Sequence, residues 1–189
     1  MDTTARPSPR DRLLDAAADL FYRQGVGTGI DALCKAAGVS KRSMYQLFAS
    51  KDDLLAASLE RRAPGYAAAL LPPPDDPRPP RARLLAVFER LEELSAAPGY
   101  RGCPYLAAQV ELKDPGHPAS IVAGRVKQGL TEHFRREAEA GGATDPDLLA
   151  RRLTLLFDGA AARSGVQAET LPGLAVPTAA ALLDAAGVH

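Results

Sequence analysis

Between Thr28 and Lys51 two short helical patterns are parted by only three residues, Ala37-Gly38-Val39. Ile30, Leu33 and Ala37 recur at helical spacing and give the first of them one apolar face. Thr28-x-x-Asp31 has the form of a capping box at its start. Gly38 can take the left-handed conformation that ends a helix, because it has no Cβ to clash. Ser40 then caps a second helix from about Lys41 to Phe48. On it Met44, Leu47 and Phe48 can face inward, while Lys41, Arg42, Ser43, Tyr45 and Gln46 are left mostly outside. Ser50-x-x-Asp53 is a further capping box and opens the next helix. Helix, glycine turn and a second helix with a polar outer face make a helix-turn-helix. An ordinary helical hairpin with a solvated face is the competing reading of the turn taken alone.

The rest of the chain is helical in pattern too. Residues 1–9 read as a mobile arm, from which Arg6 and Arg10 can reach DNA phosphates or a minor groove. A first helix runs from about Arg10 to Gln24, with Leu14, Ala17, Ala18 and Phe21 inward. Beyond the helix-turn-helix a fourth helix runs from Lys51 towards Leu70, with Leu54, Leu55, Ser58 and Leu59 as its stripe and Pro64-Gly65 as a place to bend. Residues 71–80 hold six prolines and read as a stiff extended connector. Further helical patterns cover Arg81–Ala96, Pro104–Lys113, Ala119–Ala140, Pro146–Val166 and a last segment after Pro172-Gly173. No segment alternates with period two, so the expected fold is all-α, with about nine helices. A DNA-binding domain is expected over 1–62 and a second helical domain over 63–189.

Apolar residues make up 46% of the 189, enough for real cores. No run of eighteen apolar residues and no signal-peptide pattern occurs, which points to the cytoplasm and to no membrane partner. Lys and Arg number 23, as do Asp and Glu, which is not the balance of a protein that coats nucleic acid indiscriminately. Residues 1–62 hold ten Lys/Arg against eight Asp/Glu, and the remainder 13 against 15, so only the N-terminal part is weakly basic. Cys34 and Cys103 form no C-x-x-C pair, and a disulfide framework is not expected.

The outer face of the second short helix carries the chemistry best suited to a base edge. Arg and Lys bond guanine O6 and N7, Gln pairs with adenine, and Ser donates or accepts. Lys41, Arg42, Ser43 and Gln46 are the candidate readers, with Ser40 at the helix start; Lys41 and Arg42 can instead neutralise phosphates and so only position the protein. An enzyme finds little support. His117, His133 and His189 have no ligand spacing, and there is no H-x-x-x-H, P-loop or G-x-S-x-G. No cofactor or metal is called for. A helical small-molecule-binding protein without DNA readout is the alternative, and it would not need the exposed Lys-Arg pair.

The stretch GIDALCKAAGVSKRSMYQLFASKDDLL resembles the DNA-binding segment of the tetracycline-repressor (TetR) family of bacterial transcription regulators. Phe21, Gly25, Ile30, Ala36, Gly38, Val39, Ser40, Tyr45, Phe48, Lys51 and Leu54 stand as the family places them, and the likeness extends from about Arg10 to about Arg62. The resemblance implies that Tyr45 and Lys51 contact phosphate, and that backbone N–H groups at Thr28-Gly29 face the same strand. Gly29 stands where the family usually has Thr or Ser. Leu47 stands where His is common, and it is given a packing role only. The layout of the C-terminal half implies a homodimer through about Pro146–Val166 and Pro172–Ala186, with Ala160, Ala161, Ala162, Ala179 and Ala180 allowing close approach; ordinary core packing is a compatible reading of those alanines. It also implies a small organic effector, for which Phe88, Leu91, Cys103, Tyr105, Leu106, Gln109, Phe134 and Phe157 are candidate pocket residues. For each of these, core packing is the plainer role. Cys103 precedes Pro104 at a helix start, where a thiol can have a lowered pKa and act as a sensor. The function expected is a ligand-responsive regulator, a repressor, on a pseudo-palindromic operator of double-stranded DNA.

Overall fold

The computed structural model describes residues 7–189, so Arg6 lies outside them. Nine helices and no strand occur among the described residues: α1 (Pro9–Gln24), α2 (Ile30–Ala37), α3 (Lys41–Leu47), α4 (Lys51–Leu70), α5 (Pro80–Ser95), α6 (Pro104–Leu112), α7 (Pro118–Ala140), α8 (Pro146–Gly165) and α9 (Ala175–Ala185). The all-α expectation holds. The chain packs into two compact units. One takes the chain up to Ala63 together with Ala107–Gly124; the other takes Pro64–Leu106 and Arg125–His189. None of the described helices is long and apolar enough to cross a membrane.

In the first unit, Ser8 opens α1: its hydroxyl accepts the Asp11 N–H at 3.1 Å and donates to the Asp11 carboxylate at 2.6 Å. Pro9 takes the first helical position, where its missing N–H costs nothing. Leu13, Leu14, Ala17 and Phe21 of α1 are buried with Leu33, Met44, Phe48 and Leu54 in one core. Polar contacts fix the helices around it. Arg12 Nε donates to the Ala37 carbonyl at 3.0 Å, and Arg61 of α4 lies 3.1 and 3.2 Å from Asp11 and Asp15. Arg10 stands in the first turn of α1, as expected, and its guanidinium sits 5.3 Å from the Phe48 ring centre.

In the second unit, α5 packs against α8 and α9. Leu84, Phe88, Leu91, Phe134, Leu153, Phe157 and Leu183 fill the space between helices. Residues 71–79 are non-helical, as their five prolines require, and Pro80 begins α5. Arg83 anchors this connector by bonding the Arg78 carbonyl at 2.5 Å and the Glu137 carboxylate of α7 at 2.8 Å. Glu92 of α5 accepts N–H groups from Gly173 and Val176 at 3.2 and 3.0 Å, capping the start of α9 from a distance. Pro64 lies inside α4, which continues through it.

Two glycines set the closest backbone approach. A Cβ on Gly165 would fall 2.5 Å from the Arg101 carbonyl carbon, and one on Gly102, at φ +87°, would fall 2.7 Å from the Ala161 oxygen. Neither neighbour is a flexible side chain, so the chain must shift. Gly165→Ala is therefore expected to destabilise by about 1–3 kcal/mol, as overpacked cores do. Gly129 of α7 has no atom near its Cβ position, and Gly129→Ala is expected to stabilise by about 0.5–1 kcal/mol. Thermal melts of the two variants beside the wild type check this, at roughly 2–4 °C per kcal/mol for a chain of this size.

Candidate nucleic-acid interface

The turn between α2 and α3 is built as its residues predict. Gly38 is left-handed at φ 62°, ψ 42°. Its N–H bonds the Lys35 carbonyl at 3.2 Å, and the Val39 N–H reaches the Cys34 carbonyl at 3.0 Å, closing α2 in a Schellman motif. Ser40 then caps α3 by accepting the Ser43 N–H at 3.0 Å, and the two hydroxyls lie 2.9 Å apart. Ser50 likewise accepts the Asp53 N–H at 3.0 Å and starts α4. Buried Met44 and Phe48 hold α3 to the core. Cys34 packs there too, and burial pushes its thiol up.

The outward residues of α3 divide by what already holds them. Arg42, Tyr45 and Gln46 are exposed, Tyr45 by 52%, and Ser43 is half-buried against its cap. Lys41 is exposed but paired: its ammonium lies 2.7 Å from the Asp31 carboxylate of α2, and that hydrogen bond raises its pKa. Lys51, at the start of α4, donates to the Val26 carbonyl at 3.0 Å. An ammonium has three donors, so this contact leaves two for another acceptor.

Two expectations are corrected. Thr28 does not cap α2. It is 8% exposed, and its hydroxyl donates to the Gly25 carbonyl at 2.9 Å, because the chain turns back on itself in that loop. Gly29 is the N-cap, with no side chain to accept. Leu47 does not pack inward. α3 ends at Leu47, Phe48 turns into extended backbone and takes the buried place, and Leu47 is left 39% exposed on the outer side.

The residues named for an effector are mostly packed side chains of the second unit. Phe88 stacks on Phe134, with ring centres 5.7 Å apart and planes at 7°. Lys127, ion-paired to Asp158, stands 4.9 Å over Phe157. Leu91 is buried, and Leu106 is half-buried. Cys103 is buried and accepts a hydrogen bond from the Tyr66 hydroxyl at 3.2 Å, while Tyr66 meets Tyr105 edge-on at 5.0 Å. Burial pushes the Tyr66 phenol up. Gln109 is half-buried and belongs to the first unit, where its amide lies near Gly124. Sequence reasoning missed Tyr66 and also His133, a buried imidazole whose pKa burial lowers. Both read as helix-face residues with no local mark. Of the small residues on the last two helices, Ala161 and Ala179 are core, whereas Ala162 is exposed. Leu155, 75% exposed, Leu156, Gly159, Leu174 and Leu182 line an open apolar groove of about 540 Å³ between α8 and α9. Among the described residues no group of three or more His, Cys, Asp or Glu could hold a metal.

The family profile described as bacterial regulatory proteins, tetR family, matches residues 13–58, which span α1 to the first turns of α4. The crystal structure of sav143 from Streptomyces avermitilis, a proposed tetR transcriptional regulator, is 63% identical, with a TM-score of 0.95 over 97% of this chain and 100% of that one. SCO4454, a TetR-family transcriptional regulator from Streptomyces coelicolor, is 27% identical at a TM-score of 0.84, covering 95% and 96%. The HTH-type transcriptional activator FasR of Mycolicibacterium smegmatis is 35% identical over 120 residues, 57% of this chain and 54% of the relative. The chain spans about half the length of the curated relatives it matches.

Ser40 is the one side chain that caps α3. Ser40→Ala is expected to lower stability by about 1 kcal/mol, and Ser40→Gly by only a few tenths. Urea titration of the full chain, followed by helical circular dichroism, checks the order.

Proposed function

The chain belongs to the TetR family of transcriptional regulators and carries its helix-turn-helix domain, and from that premise we propose that it acts as a ligand-responsive homodimer on a pseudo-palindromic operator. The observation that carries the reading is the outer face of α3. A seven-residue helix is held at its start by Ser40 and at its base by Met44 and Phe48, with Arg42, Tyr45 and Gln46 outward. Placed in a major groove, Arg42 and Gln46 would read base edges, with Ser43 and Lys41 beside them. Tyr45, the two remaining donors of Lys51 and the N–H groups from Thr28-Gly29 onward would grip phosphates and set the register.

Dimerisation is proposed through the α8–α9 groove. Leu155 and Leu174 expose apolar surface that a second copy would cover. The effector proposed is a small organic molecule taken up among Phe88, Leu91, Cys103, Tyr105, Leu106, Phe134 and Phe157. It would act only by binding one state of the dimer more tightly than the other. α4 supplies residues to both compact units and is the proposed carrier of that preference. Control is proposed to be repression through occupancy of the promoter.

Selection from fragmented genomic DNA at two salt concentrations tests the reading. A short inverted repeat, bound more weakly at high salt, is expected. Recovery of nothing above background at low salt would favour a helical ligand-binding protein without DNA readout. Arg42→Ala should relax preference at one base step, and Tyr45→Phe should weaken all duplexes alike. Loss of the gene should raise transcription of genes beside the repeat; a fall would make the protein an activator, as FasR is named. Separately, Leu155→Glu should leave the helical signal unchanged, halve the mass seen by light scattering, and abolish operator binding.

A further inference from the structure

The first unit contains a contact that the helix-turn-helix itself does not supply. Glu111, near the end of α6 and 85 residues away in sequence, accepts the Val26 N–H at 2.8 Å. Val26 is also held through its carbonyl, which takes the Lys51 ammonium at 3.0 Å. A carboxylate thus fixes one side of this residue and a cation the other, and hydrogen bonds with a charged partner are the strong ones. The position suits the contact. Gly25 has φ +86°, a conformation that favours glycine, and a Cβ there would lie 2.6 Å from Glu111 Oε2 and push the carboxylate aside. A second contact from the same corner of the chain reaches α4. His117 Nε2 lies 3.5 Å from Asp52 Oδ1, next to Lys51, while His117 Nδ1 accepts the Ala119 N–H at 3.1 Å.

We propose that Glu111 is a positioning residue for DNA binding, acting through Val26 on Lys51 and on the start of α2. This rests on the reading of α3 and Lys51 given above. Val26 stands three residues before Gly29, whose N-cap position orients the first N–H groups of α2. Its carbonyl is the anchor that directs Lys51. Freed from Glu111, the loop from Gly25 to Thr28 loses this tie to 107–124, and the anchor of Lys51 moves with it. Glu111 is itself exposed, and its bond goes to the Val26 backbone and not to a side chain of α3.

Charge and position predict opposite results, which makes the test sharp. The full-length wild type, Glu111→Gln and Glu111→Ala are compared on one duplex recovered by the wild type. Removing a carboxylate near phosphate should, by charge alone, tighten both variants. Positioning predicts that Glu111→Gln, whose amide oxygen still accepts the Val26 N–H, binds within about twofold of wild type or more tightly. Glu111→Ala should bind about tenfold more weakly at a temperature where it stays fully folded, its melting midpoint lowered by no more than several degrees through the lost hydrogen bond. The Val26 amide should exchange with deuterium faster in the alanine variant alone. Equal or tighter binding by Glu111→Ala overturns the assignment, as do equal losses in both variants. Should Glu111→Ala not fold, Glu111→Asp, whose carboxylate is withdrawn by one methylene, takes its place with the same expectation. Failure of the wild type to select any duplex overturns the DNA reading first and this assignment with it.

Discussion

Closure of α2 at Gly38 is the interaction on which the reading head depends. The left-handed residue lets the Gly38 and Val39 N–H groups return to the Lys35 and Cys34 carbonyls, so two acceptors at the helix end are satisfied within the chain. The chain leaves in extended geometry at Ser40, and α3 begins at once. Arg12 adds a bond to the Ala37 carbonyl, which ties the end of α2 to α1. A Cβ at position 38 would meet no neighbouring atom. The constraint is therefore the backbone conformation itself, and not crowding.

The second unit is secured by a different means. Its tightest places are backbone against backbone, at Gly102 with Ala161 and at Gly165 with Arg101. Around these, polar side chains work over long sequence separations: Glu92 serves the start of α9, and Arg83 joins the proline-rich connector to α7. The aromatic side chains fill what remains. Phe88 against Phe134 and Tyr66 against Tyr105 are ordered pairs. An effector that enters this core would therefore have to part close-packed rings, which would couple its binding to the packing of the unit.

What could be read in the sequence was local. Gly38, Ser40 and Ser50 declare themselves because their roles need only a few neighbouring residues, and the helical periods of Leu13 to Phe21 or Leu84 to Leu91 need only one face. Thr28 misled because the same hydroxyl serves a cap or a loop, and the Gly25 carbonyl lay nearer. Leu47 misled because α3 stops one residue short of the expected Phe48, and of the two only Phe48 then turns inward. The bond between Glu111 and Val26 had no local sign at all, since the partners stand 85 residues apart in sequence. Tyr66 and His133 were silent for a like reason, as burial of a polar group is a property of its surroundings.

The pair of Lys41 and Asp31 has a bearing on how the head would discriminate. A lysine facing solvent holds small mobile ions loosely, and a phosphate displaces them at little enthalpic cost. Lys41 instead carries its counterion within the chain. A phosphate that takes Lys41 must leave the Asp31 carboxylate beside it, a like charge at close quarters. Such a lysine would contribute little to casual association with any duplex. It would be recruited where a base edge offers an acceptor without a full charge. A head built this way would keep one of its cations in reserve.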